Sequence, residues 1–275
     1  MKRSTIASNV ACLSLGVSLA LGMSALGCEE KKPQNLAPAA SSLAPSTAAP
    51  SAKSMKFTID PKSSTSIDMP APKEHIKAVT EGAAGTLEID VTNLAQTRGE
   101  IKADLTTLST KTFGSAEKDK TQTAHARTWL EVSDGEEGKL ADDVKSANRY
   151  AVYAIRSVDG LSASDLTKVA PTKDGADEVR TVTATTHGEF LIHGHKVDRD
   201  ADVEVAFRYA PGAAPEKPKS LTIKSKKPLR ATLAEHDVKP RDGFGKIAKG
   251  AFNLLGTKVA EVADISLDIR ATPQP

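Results

Sequence analysis

Cysteine is nearly absent from this chain of 275 residues, and the two that occur, Cys12 and Cys28, both lie near its beginning. The sequence after Cys28 therefore offers no disulfide, no thiolate nucleophile and no cysteine-ligated metal. It also lacks the Gly-x-Ser-x-Gly element of serine hydrolases and a Gly-x-x-x-x-Gly-Lys phosphate loop. We predict from these absences that the protein is not an enzyme.

The chain also carries little net charge. The 37 Lys and Arg residues against 35 Asp and Glu residues leave a formal charge of +2. Lys2 and Arg3 account for this excess, because no acidic residue precedes Cys28. The rest of the chain is formally neutral, which argues against a nucleic-acid partner, since such domains usually carry a strong basic excess.

The metal-ligating residue types that do occur make no recognised site. His193 and His195 share one face of an extended strand, as do the acids of Asp198–Asp202. A calcium loop beginning at Asp198 would need glycine at its sixth position and an acid at its twelfth, where this chain has Val203 and Tyr209. We interpret the segment as a polar hairpin turn and predict no metal and no cofactor other than a bound lipid or polyisoprenoid.

Residues 1–27 resemble a bacterial export signal, in which two basic residues precede an uncharged stretch rich in Leu, Val and Ala. Ala25–Cys28 resembles the lipobox of bacterial lipoproteins, which implies that Cys28 is the lipid-attachment site, carrying an acyl group such as palmitate. The alternative is an ordinary secretory signal in which Cys28 has no role. An acylated Cys28 would anchor the protein on the periplasmic side of a bacterial membrane, the outer membrane in preference to the inner one.

Residues 28–54 are rich in Pro, Ala and Ser, with Leu36 and Leu43 as their only bulky apolar residues. Such a segment buries too little apolar surface to offset its ordering entropy. We predict a flexible tether here, followed by one domain over residues 55–275.

Alternation of apolar and polar residues dominates the chain from Met55 onward and is typical of half-buried strands. The clearest examples are Thr86–Val91, Glu100–Leu105, Asp202–Arg208 and Asp264–Arg270, and shorter ones are Met55–Asp60, Arg149–Val158, Glu178–Thr186, Gly188–His193 and Ser220–Lys224. Turn residues separate them, among them a predicted turn at His187-Gly188. The fold class that follows is all-β, an antiparallel barrel of about eight strands.

Two segments predict short helices. Glu136–Ala147 has a modest apolar face, and a sharper stripe over residues 244–255 places apolar residues at helical spacing. Such a stripe either packs on the sheet or forms a helix at the rim of the barrel. The rim-helix residues of the second interpretation are Phe244, Ile247, Phe252 and Leu255.

The order of these segments resembles the YceI-like domain family. Gly188–Val197 followed by Val203–Phe207 is similar to the central hairpin of that family, and Lys56–Pro61 with Ser64–Met69 is similar to its opening. Further similar blocks are Gly85–Asp90, Gly99–Thr107, Arg149–Val158, Leu229–Val238 and Val262–Ala271. The resemblance implies an extended, lipocalin-like eight-stranded antiparallel barrel that holds a long isoprenoid or similar lipid tail, in periplasmic or lipid-anchored proteins that are not enzymes.

The alternation also predicts which side chains face the interior. These are medium-sized aliphatic residues, which suit the non-directional burial of a lipid tail as well as they suit a solid core. They are Leu87, Ile89, Val91, Ile101, Ala103, Leu105, Val203, Val205, Phe207, Ile265, Leu267 and Ile269. The sequence thus leaves two functions open: a lipid-anchored, envelope-facing protein that binds a hydrophobic small molecule with a long tail, or a structural lipoprotein with a filled barrel and a protein partner.

Overall fold

The computed structural model of the chain describes residues 51–135, 138–241 and 254–274. These residues form one antiparallel sheet of thirteen strands with two α-helices. Within the described part, neither helix has the length and apolarity needed to cross a membrane. The strands are β1 (Met55–Ile59), β2 (Ser64–Pro70), β3 (His75–Thr80), β4 (Ala83–Ile89), β5 (Arg98–Asp104), β6 (Ser109–Thr110), β7 (Tyr150–Asp159), β8 (Thr172–Asp174), β9 (Asp177–Ile192), β10 (His195–Tyr209), β11 (Ser220–Ser225), β12 (Leu229–Thr232) and β13 (Val262–Pro273). The helices are α1 (Ala116–Trp129) and α2 (Asp142–Asn148).

Eight of the strands close into a ring, in the order β1-β4-β5-β7-β9-β10-β11-β13, with β13 pairing back onto β1. The predicted all-β, lipocalin-like class with about eight antiparallel strands and short helices is confirmed. The ring is not a regular barrel, because β13 extends beyond the part that pairs with its ring neighbours β1 and β11. Its C-terminal half pairs with β1 and β11, whereas its N-terminal half pairs with β2 and β12. The strands β2, β3 and β6 therefore extend one end of the ring as a flap.

Two serine hydroxyls, from the buried Ser63 and the partly buried Ser225, bind β13 where its partner strands change. Ser63, between β1 and β2, accepts a hydrogen bond from Arg270 N (2.9 Å) and donates one to Arg270 O (3.3 Å). On the other side, Ser225 Oγ accepts a hydrogen bond from Leu267 N (2.9 Å). Where β13 changes partner strands, some of its backbone N–H and C=O groups have no partner in the neighbouring strand. The serine hydroxyls supply these hydrogen bonds, which buried backbone groups require.

The longest hairpin, β9–β10, runs without a break through the predicted turn at His187-Gly188, so that prediction is wrong. Gly188 lies inside β9, opposite Ile155 of β7. A Cβ at this position would overlap Ala154 O and lie 2.8 Å from the Tyr153 ring. Glycine is needed here because β7 and β9 come close together, and glycine serves this purpose in sheets as well as forming turns. The true turn lies at His193 and Gly194, which have φ of 50° and 74°, in keeping with the positive φ values that two-residue hairpin loops demand.

The helices differ from the prediction. Within the predicted segment 136–147, residues 136 and 137 lie outside the described residues and the helix itself is α2, shifted to Asp142–Asn148. The longer helix α1 was not predicted, because its residues are mostly polar and show little periodic segregation. Its ends do carry complementary charges, with Glu117 and Asp119 in the first turn and Arg127 in the last. In the second predicted helix, Phe244, Ile247 and Phe252 lie outside the described residues, and Leu255 forms an isolated bridge with Val259.

Candidate functional site

The interior of the ring is divided into a solid half and a hollow half. Around β1, β4 and the C-terminal end of β10, Phe57, Leu87, Phe207 and Ile269 are 0–1% exposed. The gap that remains in this half is about 60 Å³. Because protein interiors pack with few voids larger than a water molecule, this half is an ordinary core.

A cavity of about 710 Å³ occupies the other half. Its walls come from β5, β7, β9, β10 and β13 of the ring, from β12, from the flap strands β2, β3 and β6, and from α1. Most of the lining is aliphatic, contributed by residues such as Ile67, Ile76, Ala78, Ile101 and Ile265. The flap and α1 are placed against this half of the ring, so they enclose space that a simple eight-stranded ring would leave open.

The predicted interior residues all lie inside the ring or pack against its core, but they divide between its two halves. The large cavity is lined by Ile101, Ala103, Leu105, Ile265 and Leu267. The small gap is lined by Leu87, Ile89, Val203, Val205 and Phe207, with Ile101 and Leu267 contributing to both spaces. Val91 and Ile269, at 3% and 0% exposure, line neither and belong to the solid core. Contact of any of these residues with a ligand stays a prediction.

Helix α1 supplies the polar part of the wall. The lining residues follow one face of the helix at intervals of about four: Glu117, Lys118, Thr121, Gln122, His125, Ala126, Trp129 and Leu130. The sequence pattern does not reveal this face because polar and apolar residues share it. Thr121, His125 and Trp129 do follow one another at intervals of four, but a mixture of polar and apolar residues at that spacing gives no amphipathic signal.

Charged groups gather where α1, the β2–β3 turn and the segment 254–259 meet. Lys258 Nζ lies 3.8 Å from Glu74 Oε1, and Gln122 Nε2 lies 3.5 Å from Glu74 Oε2. Phe113, just before α1, also lines the cavity and is 43% exposed. This combination of exposed, charged and aromatic groups identifies the end of the cavity that faces solvent.

The polar groups deeper in the wall are mostly satisfied. Tyr153 Oη contacts the carbonyl oxygens of Thr186 and Arg199, each at 2.9 Å. Burial raises the pKa of Tyr153 to about 12, so this phenol is neutral at physiological pH. Thr110 Oγ1 donates to Asp119 O (2.8 Å), which ties the flap to α1. These groups stabilise the wall and are not arranged as nucleophile and base.

A polar network lies directly behind the wall, where the end of α1, the β9–β10 turn and the loop after β12 meet. Glu131 Oε2 contacts His193 Nε2 (2.5 Å), and Glu131 Oε1 lies 3.3 Å from Arg241 NH1. Arg241 NH2 and Lys239 Nζ contact the two oxygens of Asp237, at 2.5 and 2.6 Å. Burial works against ionisation of Asp237, but these two cations hold its pKa below the usual value.

The ligand atoms of His193, His195 and Asp237 lie within 4.8 Å of one another, which is close enough for a metal ion. Other contacts already engage two of the three residues. His193 Nε2 contacts Glu131, His193 Nδ1 lies 3.2 Å from His236 O, and the Asp237 carboxylate contacts two cations. A divalent cation would have to displace those ion pairs, so the arrangement fits a hydrogen-bond network better than a metal site.

The acidic residues of the predicted hairpin turn lie away from this group, along β10. Asp198 pairs with Arg156 (3.5 Å), Asp200 with His187 Nδ1 (2.6 Å) and Asp202 with Lys227 (3.0 Å). Each therefore has its own partner on another strand or loop. Cys28, the predicted lipid-attachment site, lies outside the described residues.

An antiparallel ring of eight strands encloses an aliphatic cavity, and two solved structures are similar to this fold. One is a polyisoprenoid binding domain from Saccharophagus degradans implicated in plant cell wall breakdown, with 12% identity and a TM-score of 0.45 over 80% of this chain and 99% of that one. The other is BcnA of Burkholderia cenocepacia, with 12% identity and a TM-score of 0.45 over 78% of this chain and 99% of that one. Both are YceI-like proteins, the kind that the sequence resembles. No protein-family model and no curated protein sequence matches this chain.

Proposed function

We propose that the protein binds a long hydrophobic molecule, isoprenoid-like or fatty, inside the ring and performs no covalent chemistry on it. The observation that carries the proposal is the cavity of about 710 Å³ with its largely aliphatic lining. Ligand pockets typically measure about 300–1,000 Å³, whereas a packed core leaves only small voids. A filled barrel with a purely structural role would not maintain so large an apolar space beside a well-packed core.

The shape of the site supports an amphiphile bound with its tail inward. The aliphatic lining comes from the ring and its flap, whereas Glu74, Lys118 and Lys258 lie at the solvent-facing end. Burying a methylene contributes about 0.8 kcal/mol, so a tail in the aliphatic part supplies the affinity. A charged head group at the open end keeps its hydration and avoids the cost of burying an unpaired charge.

Analysis of the lipid that accompanies the full-length protein tests this function. The Cys28→Ala form is used, so that no lipid is attached covalently, and the protein is subjected to native mass spectrometry and to organic extraction. We expect a non-covalent lipid with a long tail, or uptake of a fluorescent fatty or isoprenoid probe that raises the free energy of unfolding by about 2.7 kcal/mol at a hundredfold excess over Kd. Purified protein without lipid, and without uptake of either probe, would defeat the proposal.

We further propose that acylation of Cys28 anchors this binding domain on the periplasmic side of the membrane. The support is the sequence of residues 25–28 and the tether that follows. Cys28→Ala is expected to abolish incorporation of labelled palmitate and to release the protein from the membrane fraction, while Cys12→Ala leaves both unchanged. Membrane attachment that survives the loss of Cys28 would contradict the anchor.

A further inference from the structure

His236 stands apart from the other polar residues in the cavity wall. It lies in the loop after β12 and is only 2% exposed. Its Nε2 atom is buried and has no hydrogen-bond partner among the described residues. The hydroxyls of Tyr153 and Thr110 in the same wall do have partners. A buried acceptor without a donor is costly, and in native proteins such an atom calls for an explanation.

The orientation and protonation of the ring follow from its contacts. Nδ1 lies 3.0 Å from His195 O, and a carbonyl oxygen can only accept, so Nδ1 carries the proton. The ring also packs edge-on against Phe190, which lines the cavity as well, at a centroid distance of 5.7 Å. Burial lowers the pKa of His236, which keeps the imidazole neutral near pH 7. Nε2 is therefore a lone-pair acceptor.

The loop that carries His236 is held in place from behind. His193 Nδ1 lies 3.2 Å from His236 O, and Glu131 Oε2 contacts Nε2, the other nitrogen of the His193 ring. Glu131, His193 and Asp237 are also the non-glycine residues with positive φ in the described part of the chain, at 55°, 50° and 52°. Backbone strain of this kind persists only where the surroundings over-determine it, and it concentrates at ligand-binding sites. The network therefore preorganises the wall around His236.

We infer that His236 Nε2 accepts a hydrogen bond from a hydroxyl group of the bound lipid, so that the cavity selects a hydroxyl-bearing amphiphile over an equally long molecule without a donor. This inference rests on the proposed lipid-binding function and specifies its ligand class. An ether or ester oxygen can only accept, so a lipid of that kind would bury a second acceptor against Nε2. A hydroxyl satisfies both groups with one hydrogen bond.

Gln122 is the competing explanation for such a preference. Its Oε1 atom is also buried without a hydrogen-bond partner among the described residues, and it too belongs to the cavity lining. Gln122 is only partly buried, on α1 near Glu74. Its amide sits beside the charged groups at the open end, whereas His236 packs against Phe190. A matched variant can separate the two.

The test compares 1-hexadecanol with its methyl ether, which has the same tail and an oxygen but no donor. Affinities are measured by displacement of a fluorescent fatty probe from wild-type protein, His236→Phe and Gln122→Leu. We expect wild type to bind the alcohol about five- to tenfold more tightly than the ether. The ratio should fall to about one in His236→Phe and persist in Gln122→Leu.

The possible results distinguish failure of this inference from failure of the proposed lipid-binding function. Equal affinities of wild type for alcohol and ether would overturn the role of His236 while leaving lipid binding intact, and so would a preference that is lost only in Gln122→Leu. Binding of neither ligand and no uptake of the probe would defeat the proposed function itself. The wild-type ratio needs no substitution, so the inference stays testable if His236→Phe folds poorly.

Discussion

Ala103→Phe is expected to lower the affinity for a long-chain lipid at least tenfold while leaving the fold intact. Ala103 lies on β5 between Ile101 and Leu105, and its side chain lines the large cavity without filling it. A phenyl ring there takes space that the tail would occupy. Displacing even two methylenes from the cavity costs about 1.6 kcal/mol, which is more than a tenfold loss of affinity. Titration of the purified protein with a fluorescent fatty probe measures the change.

A matched control separates cavity filling from a general effect of phenylalanine on the sheet. Ala84 lies on the neighbouring strand β4 opposite Lys102, on the outer face, and does not line the cavity. Ala84→Phe should therefore bind the probe like wild type. Thermal unfolding should show little destabilisation of Ala103→Phe, because the added ring enters existing space. Unchanged binding by a folded Ala103→Phe protein would mean that the ligand does not occupy this cavity.

Gly99→Ala is expected to destabilise the protein by about 3 kcal/mol or more. Gly99 lies in β5 opposite Leu87 of β4 and has φ of 137°, a conformation that side chains rarely adopt. A Cβ at this position would overlap Thr86 O and lie 2.8 Å from Leu87 Cα. Both obstacles are backbone atoms in the ladder, so the strands would have to separate. The strained backbone and the disrupted strand pairing together lower the free energy of unfolding by an amount in the upper range for single substitutions.

Gly114 provides the comparison for this effect, since it isolates backbone conformation from steric overlap. Its φ is 61°, and a Cβ there would meet no atom within 4 Å. Gly114→Ala should therefore cost only about 1 kcal/mol. Urea unfolding of both variants and wild type gives the two differences in the free energy of unfolding. Equal effects of the two substitutions would show that close strand packing at Gly99 is not what requires glycine.

The strands of the ring could be predicted from the sequence because each one has one buried and one exposed face. β13 shows this directly: the inward residues Ile265 and Ile269 alternate with polar residues along the strand. Period-two alternation is a local consequence of strand geometry and needs no knowledge of the partner strand. Strand β9 shows the limit of such local prediction. The sequence His187-Gly188 is typical of a turn, but Gly188 lies inside the strand because β7 comes too close for a side chain.

Helix α1 and His236 could not be predicted for a different reason. The lining face of α1 mixes Thr, Gln, His and Trp, so it has no apolar stripe for the sequence to display. A single histidine in a predicted loop likewise gives no indication in the sequence that it lines a cavity. Its significance depends on His195 O and Phe190, which lie 41 and 46 positions earlier in the chain and come close only in the folded protein.

By itself, the sequence determined the all-β class, the antiparallel strands and the set of side chains that face inward, because strand periodicity is a local property of the chain. Only the tertiary structure decided that half of this interior is solid and half is hollow. That outcome depends on where β13 exchanges β1 and β11 for β2 and β12, and on the flap and α1 that enclose the space beyond the exchange. Pairing and packing between distant segments set the volume of a cavity, and the alternation along any one strand is the same whether the space in front of it is filled or empty.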